Sequence, residues 1–186
     1  MWRLKPDLLI ELGTAGGGSA VYYATIMTAY NKNAHVITID PMRKKLWNWR
    51  QVHKVCKHCI DPKETPIWKS STIEFYHEPP AKVVNIIHRK ISEWQSNVVM
   101  VIEDSNHHTE SVLNNLGNFS QFVTPGSYFI VQDIKMLRLM QSKKISPSLA
   151  INMFLNTTAG ASFEIDRTFE YYFYTQHPKG FLKRKH

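Results

Sequence analysis

The sequence predicts an α/β sandwich: a mainly parallel sheet with a late antiparallel strand and helices on both faces. Three observations predict it. Short apolar runs alternate with stretches of helical periodicity along the chain. The first run, Leu9-Ile10-Glu11-Leu12, passes straight into the glycine-rich turn Gly13-Thr14-Ala15-Gly16-Gly17-Gly18 and then into a helix. The predicted strands end in acids or an amide, at Glu11, Asp40, Asp104 and Gln132-Asp133, and open α/β sheets bind their ligands outside those ends.

Each element follows in order. Asp7 to Leu12 is the first strand, and Ser19 opens a helix that runs to Tyr30, where Asn31-Lys32-Asn33 breaks it. His35 to Ile39 is the second strand, ending in Asp40-Pro41. Residues 42–70 are basic and aromatic and read as helix plus loop, with Pro62 and Pro66 as breakers. Thr72 to Tyr76 is the third strand, stopped by His77-Glu78-Pro79-Pro80, and Lys82 to Glu93 is a helix. Val98 to Ile102 is apolar throughout, as a buried central strand requires. Glu110 to Phe119 is helical, and Thr124-Pro125-Gly126 turns the chain into the strand Ser127 to Val131. A helix at Ser148 to Leu155 precedes late antiparallel strands at Phe163 to Phe173 and Gly180 to Leu182. Residues 1–186 read as a single domain without internal repeats.

A chain of 186 residues suffices for one sizeable core and is short for two typical domains. Its 43% hydrophobic and 20% charged residues are ordinary for a globular protein. No apolar stretch is long enough for a bilayer, Met1-Trp2-Arg3-Leu4-Lys5-Pro6 leads directly into the first strand, and two cysteines make no disulfide framework. A cytoplasmic protein without a membrane partner is the expectation. The net charge of +8 includes clusters at Arg43-Lys44-Lys45, Lys143-Lys144 and Lys183-Arg184-Lys185. They are scattered, so a solvated basic surface is the plainer reading and a nucleic-acid-binding face the alternative.

The spacing Glu11-x-Gly13-x-x-x-Gly17-x-Ser19 matches neither the G-x-G-x-x-G of dinucleotide folds nor a P-loop, and no lysine follows to hold a β/γ-phosphate. An acid at the strand tip repels pyrophosphate but accepts hydrogen bonds from an ammonium group. An amino-acid-like ligand such as S-adenosylmethionine (SAM) fits better, bound against the turn and the helix N-terminus. Asp40, at the second strand tip, is placed to accept both hydroxyls of a ribose.

Asp104 and Gln132-Asp133 end neighbouring strands and form a second constellation. Two carboxylates and an amide oxygen are hard donors suited to Mg²⁺ or Ca²⁺. The alternative is local capping: Asp104 in a turn with Asn106, and Asp133 at a helix start. His107 and His108 follow Asp104, and His107 could take a proton from a substrate hydroxyl. The His53-x-x-Cys56-x-His58-Cys59 cluster lacks the second half-site of zinc modules and reads as local packing. The aromatic run Tyr171-Tyr172-Phe173-Tyr174 reads as a strand in the core, not as a nucleic-acid methylation tetrad.

These residues carry a resemblance. Pro6 to Thr14 with Gly17-Gly18-Ser19-Ala20, Val101 to His107 with Val112-Leu113-Asn114-Asn115-Leu116, Val123 to Tyr128 with Val131-Gln132-Asp133, Phe163 to Arg167 and Pro178 to Arg184 resemble motifs of the cephalosporin hydroxylase/rhamnosyl O-methyltransferase family. That family is a branch of the class I SAM-dependent methyltransferases, with a Rossmann-like fold. The resemblance spans most of the chain apart from roughly residues 42–97. It implies a cofactor site at Glu11, Gly13, Thr14, Ala15, Gly17, Ser19, Asp40 and Asp104, and a Mg²⁺ site at Asp104, Gln132 and Asp133. Gln132 stands where relatives often carry Glu, and Ser111 replaces a second histidine common in the family. His107 matches the histidine of the family's D-S-x-H motif and takes the place of a general base, with Asp104 as its catalytic partner. Relatives also carry a segment before the first strand that helps cover the active site, so the expectation here is a single domain lacking most of that lid.

The implied reaction is SAM-dependent methylation of a hydroxyl on a small molecule or sugar, assisted by Mg²⁺ and carried out by a possible homo-oligomer. The competing expectation is a catalytically degenerate methyltransferase fold whose basic surface contacts nucleic acid or a protein partner.

Overall fold

The computed structural model describes residues 1–41, 60–134, 146–170 and 175–185. Seven strands, β1 (Leu8–Leu12), β2 (His35–Ile39), β3 (Ile73–Tyr76), β4 (Val99–Glu103), β5 (Tyr128–Val131), β6 (Phe163–Ile165) and β7 (Phe181–Arg184), form one sheet in the order β3-β2-β1-β4-β5-β7-β6. The pairs from β3 through β5 are parallel, while β7 runs antiparallel to both β5 and β6.

Among the described residues five helices cover the sheet: α1 (Gly18–Tyr30), α2 (Pro66–Lys69), α3 (Pro80–Trp94), α4 (Thr109–Phe119) and α5 (Pro147–Leu155). Successive side chains of a strand face opposite ways, so β1 feeds two cores. Leu8, Ile10 and Leu12 pack with Val83 and Ile87 of α3, Val112, Leu116 and Phe119 of α4, and Ala150 and Phe154 of α5. Leu9 packs on the other face with Ala20, Ala24 and Met27 of α1. Burial on both faces explains why β1 and β4 are buried along their whole length.

Register brings the functional tips level. Leu12 lies opposite both Ile39 and Glu103, and Glu103 lies opposite Val131. The next residues, Gly13, Asp40, Asp104 and Gln132, therefore form one row beyond the carboxyl ends of four parallel strands. Between β1 and β4 the strand order reverses direction, which opens the crevice there.

Three expectations are corrected. The strand expected over 163–173 stops at Ile165. Asp166 next accepts from the Thr168 N–H at 2.9 Å and its hydroxyl at 2.6 Å, and this Asx turn ends the strand. Pro62 and Pro66 start helical turns instead of breaking them, as does Pro80, because proline fits the first helical position, where no intrahelical N–H bond is needed. The first helix opens at Gly18, capped by Gly17 in the left-handed region at φ 83°, so Ser19 lies within the first turn. The His53, Cys56, His58 and Cys59 cluster, the basic clusters at 43–45 and 143–144, and the aromatic run 171–174 lie outside the described residues. Among the described residues no helix is long and apolar enough to cross a membrane.

Candidate functional site

The glycine turn is held from below by a chain of buried polar groups. Glu11 is 1% exposed, and the hydroxyls of Ser19 and Thr38 hydrogen-bond to it, Thr38 at 2.6 Å. Thr38 in turn lies 2.6 Å from the Thr14 hydroxyl. Burial pushes the Glu11 carboxyl up, against the pull of those two hydroxyls. Gly17, at its positive φ, leaves no room for a Cβ, which would meet the Trp68 ring at 2.8 Å.

Asp40 closes the turn from the neighbouring strand. Its Oδ2 accepts from the backbone N–H groups of Thr14 at 3.1 Å and Ala15 at 2.9 Å. The carboxylate therefore fixes the loop as well as facing the cavity beyond it. That cavity, of about 610 Å³, is lined by Gly13, Ala15 and Asp40 on one side and by Asp104, Asn106 and His107 on another. The polar face of α4, with Ser111, Asn114, Asn115 and Asn118, and the Pro79-Pro80 corner complete it.

Asp104, His107 and Asp133 converge beside this cavity. One donor atom from each lies within 4.8 Å of the others. His107 Nε2 is 3.9 Å from Asp104 Oδ1 and 3.8 Å from Asp133 Oδ2, longer than hydrogen bonds. The Asp104 and Asp133 carboxylates, with oxygen atoms within 4.8 Å of one another, could flank an octahedral Mg²⁺, whose ligands stand roughly 3–4.2 Å apart, with His107 Nε2 facing both. His107 and Asp133 both have left-handed backbone, at φ 59° and 54°, a conformation uncommon outside glycine, though histidine and aspartate adopt it more readily than most. Burial, and then the charges of Asp133, Glu103 and Glu11, push the Asp104 carboxyl up to about 7. A cation would relieve that repulsion, so the two carboxylates, as oxygen donors, fit a hard divalent ion. Gln132 stands at the same tip, its Nε2 donating to the Tyr23 hydroxyl at 3.4 Å.

On capping, the Asx turn after β4 belongs to Asn106, whose Oδ1 accepts from the His108 N–H at 3.1 Å.

Three supporting residues escaped sequence reasoning. Glu103, fully buried, accepts from the Ser105 hydroxyl and from Asn115 Nδ2 at 3.1 Å, which braces the start of the Asp104 loop. Thr38 was signalled only by being polar inside an apolar strand. His177 accepts at Nδ1 from the Asp133 N–H at 2.9 Å. Burial pushes its imidazole down, which favours the neutral form that such an acceptor needs.

The family model described as Rhamnosyl O-methyltransferase/CmcI matches residues 1–185. The rhamnosyl O-methyltransferase of Mycobacterium bovis (strain BCG / Pasteur 1173P2) is 29% identical over 131 residues, covering 70% of this chain and 47% of that protein. Its counterpart in Mycobacterium leprae (strain TN) is 26% identical over 134 residues, covering 70% and 50%. The chain thus spans about half the length of the curated relatives it matches. Among solved structures, CmcI with Mg and SAM superposes with a TM-score of 0.61 at 19% identity, over 100% of this chain and 67% of that one. A TDP-rhamnose 3'-O-methyltransferase of calicheamicin biosynthesis gives 0.53 at 16% identity, over 83% and 66%. The fold is that of the class I methyltransferases, and the chain belongs to the Rhamnosyl O-methyltransferase/CmcI family.

Proposed function

We propose that the chain, acting as one unit over residues 1–186, is a SAM-dependent O-methyltransferase. Its acceptor is a hydroxyl of a sugar, such as a rhamnosyl group, or of another small molecule, and Mg²⁺ assists. The observation that carries this reading is that Gly13, Asp40 and Asp104 line one cavity at the switch point of the sheet, with Asp133 grouped beside Asp104 and His107 at its edge. The likeness to rhamnosyl O-methyltransferases supports the sugar acceptor.

In this reading the turn at Gly13 to Gly17 holds the amino-acid end of SAM, supported from beneath by Glu11, Ser19 and Thr38. Asp40 accepts from the ribose hydroxyls while its Oδ2 keeps the turn in shape. Asp104 and Asp133, with Gln132 beside them, would hold the divalent ion. When bound, that ion would orient the acceptor oxygen and lower the pKa of its hydroxyl. His107, facing both carboxylates, takes up the hydroxyl proton at Nε2. Most of the rate gain comes from holding the acceptor oxygen in line with the methyl carbon.

Calorimetric titration of SAM into the purified protein, with Asp40→Ala and Glu11→Ala as controls, tests the cofactor. Binding that either variant weakens at least tenfold supports the reading, and no heat with or without Mg²⁺ overturns it. Transfer of labelled methyl to rhamnosyl acceptors then tests the reaction.

A further inference from the structure

We infer that His177 is the positioning residue of the proposed metal site, holding the Asp133 backbone in the conformation that turns its carboxylate toward Asp104. The inference rests on the metal reading given above.

Asp133 has a φ of 54°, unusual for a residue with a side chain. Aspartate visits this region more readily than most side chains, and among the described residues the hydrogen bond that fixes its backbone there runs from its N–H to His177 Nδ1, at 2.9 Å. An acceptor nitrogen carries no proton, so the imidazole is the tautomer protonated at Nε2.

The imidazole is itself firmly placed. The His177 N–H donates to the Thr175 hydroxyl at 3.1 Å, and its carbonyl accepts from the Gly180 N–H at 2.9 Å. Gly180 next accepts from the Val131 N–H at 2.9 Å, two residues before Asp133. A Cβ at Gly180 would stand 2.3 Å from the Val131 carbonyl oxygen, so only glycine lets this turn lie flat on the end of β5. The His177 ring also packs edge-on against Phe181, with centroids 6.3 Å apart. The antiparallel return of β7 therefore delivers one acceptor atom to the loop bearing a metal carboxylate, 44 residues away in sequence. Outer groups that orient metal ligands typically affect metal affinity 10–100-fold.

The test compares His177→Asn, whose Oδ1 replaces Nδ1 as acceptor, with His177→Gln, whose amide reaches the Nε2 position instead. Mn²⁺ serves as the probe, followed by electron paramagnetic resonance, and SAM binding is followed by calorimetry. His177→Gln is expected to lose at least tenfold in Mn²⁺ affinity with SAM affinity unchanged within about twofold, and His177→Asn to stay near wild type. Exchange of the Asp133 amide proton should speed up in the Gln variant alone. Wild-type Mn²⁺ affinity in His177→Gln, or equal loss in both variants, overturns the inference. A wild-type chain that takes up no Mn²⁺ overturns the metal reading instead, and the Asp133 amide then decides the positioning role: unchanged exchange in His177→Gln rejects it.

Discussion

A Cβ placed on Gly13 would stand 2.1 Å from the backbone oxygen of Asp104. The glycine turn and the Asp104 loop thus meet backbone to backbone, with the Asp104 N–H donating to the Leu12 carbonyl at 2.8 Å and the Gly13 N–H to the Ile39 carbonyl at 2.8 Å. Gly13 also sits at φ 104°, which side chains resist. Both constraints act on the same residue, and together they set the distance between the two halves of the site.

Gly13→Ala should therefore destabilise the chain by about 1–3 kcal/mol from backbone strain, with a further cost for moving the Asp104 loop. Gly18→Ala is the control. A Cβ there meets nothing within 4 Å, and alanine in a helix gains about 0.5–1 kcal/mol over glycine. Urea unfolding measures both. Equal midpoints would sink the argument.

In the proposed reading Asp40 has two tasks, holding the turn and binding the ribose, that substitution can separate. Asp40→Ala removes the acceptor for Thr14 and Ala15 and the ribose partner together, so SAM affinity should fall at least tenfold, about 1.4 kcal/mol. Asp40→Asn keeps one acceptor oxygen and should hold the turn while weakening the charge-assisted bonds, giving a smaller loss. Amide exchange at Thr14 and Ala15 reports on the turn and calorimetry on the ligand. Loss of SAM binding with both amides still protected in Asp40→Ala would assign Asp40 to the ribose alone.

The parallel strands and the row of tips were legible because four of these strands read as apolar runs closed by an acid or amide, and buried central strands need that run. Thr38 shows the limit of such reading. Its hydroxyl serves Glu11 at 2.6 Å and lies as close to Thr14, but within the strand it reads only as one polar residue. Pro62 and Pro66 misled because the same missing N–H that ends a helix suits its first position, and there, as at Pro80, the second use prevails. The bond between His177 and Asp133 was out of reach, since an antiparallel return fixes it and no periodicity records it.

In the ion-free protein Asp104 should make stability fall as pH rises. Its carboxyl goes from 3.8 to about 7 on folding, so the folded chain holds that proton more tightly than the unfolded one. The contribution is fully present below about pH 4 and is lost as pH rises through about 7. Asp104→Asn removes the titration. With EDTA present, the wild-type urea midpoint should drop between pH 5 and pH 8 by more than that of the variant, and equal drops would reject this origin. A divalent cation takes the deprotonated form, so its affinity should climb over the same range.

Gln132 offers the sharpest reading of the metal site. Its amide donates to Tyr23 at 3.4 Å, beside Asp104 and Asp133. Gln132→Glu adds a third carboxylate to a place where repulsion already raises one. Without metal, the variant should unfold at lower urea than wild type at pH 8, with the difference shrinking toward pH 5 as protons relieve the crowding. With metal, the added charge should tighten Mn²⁺ about tenfold or more, since affinity for hard cations grows with the number of anionic ligands. The Tyr23 hydroxyl can donate to the new carboxylate in place of the lost amide bond. Titration of Mn²⁺ into wild type, Gln132→Glu and Asp104→Asn should rank them with the Glu variant tightest and the Asn variant weakest. A Glu variant that is less stable and binds no better would mean that residue 132 does not face the ion, leaving Asp104 and Asp133 as the acidic pair that holds it.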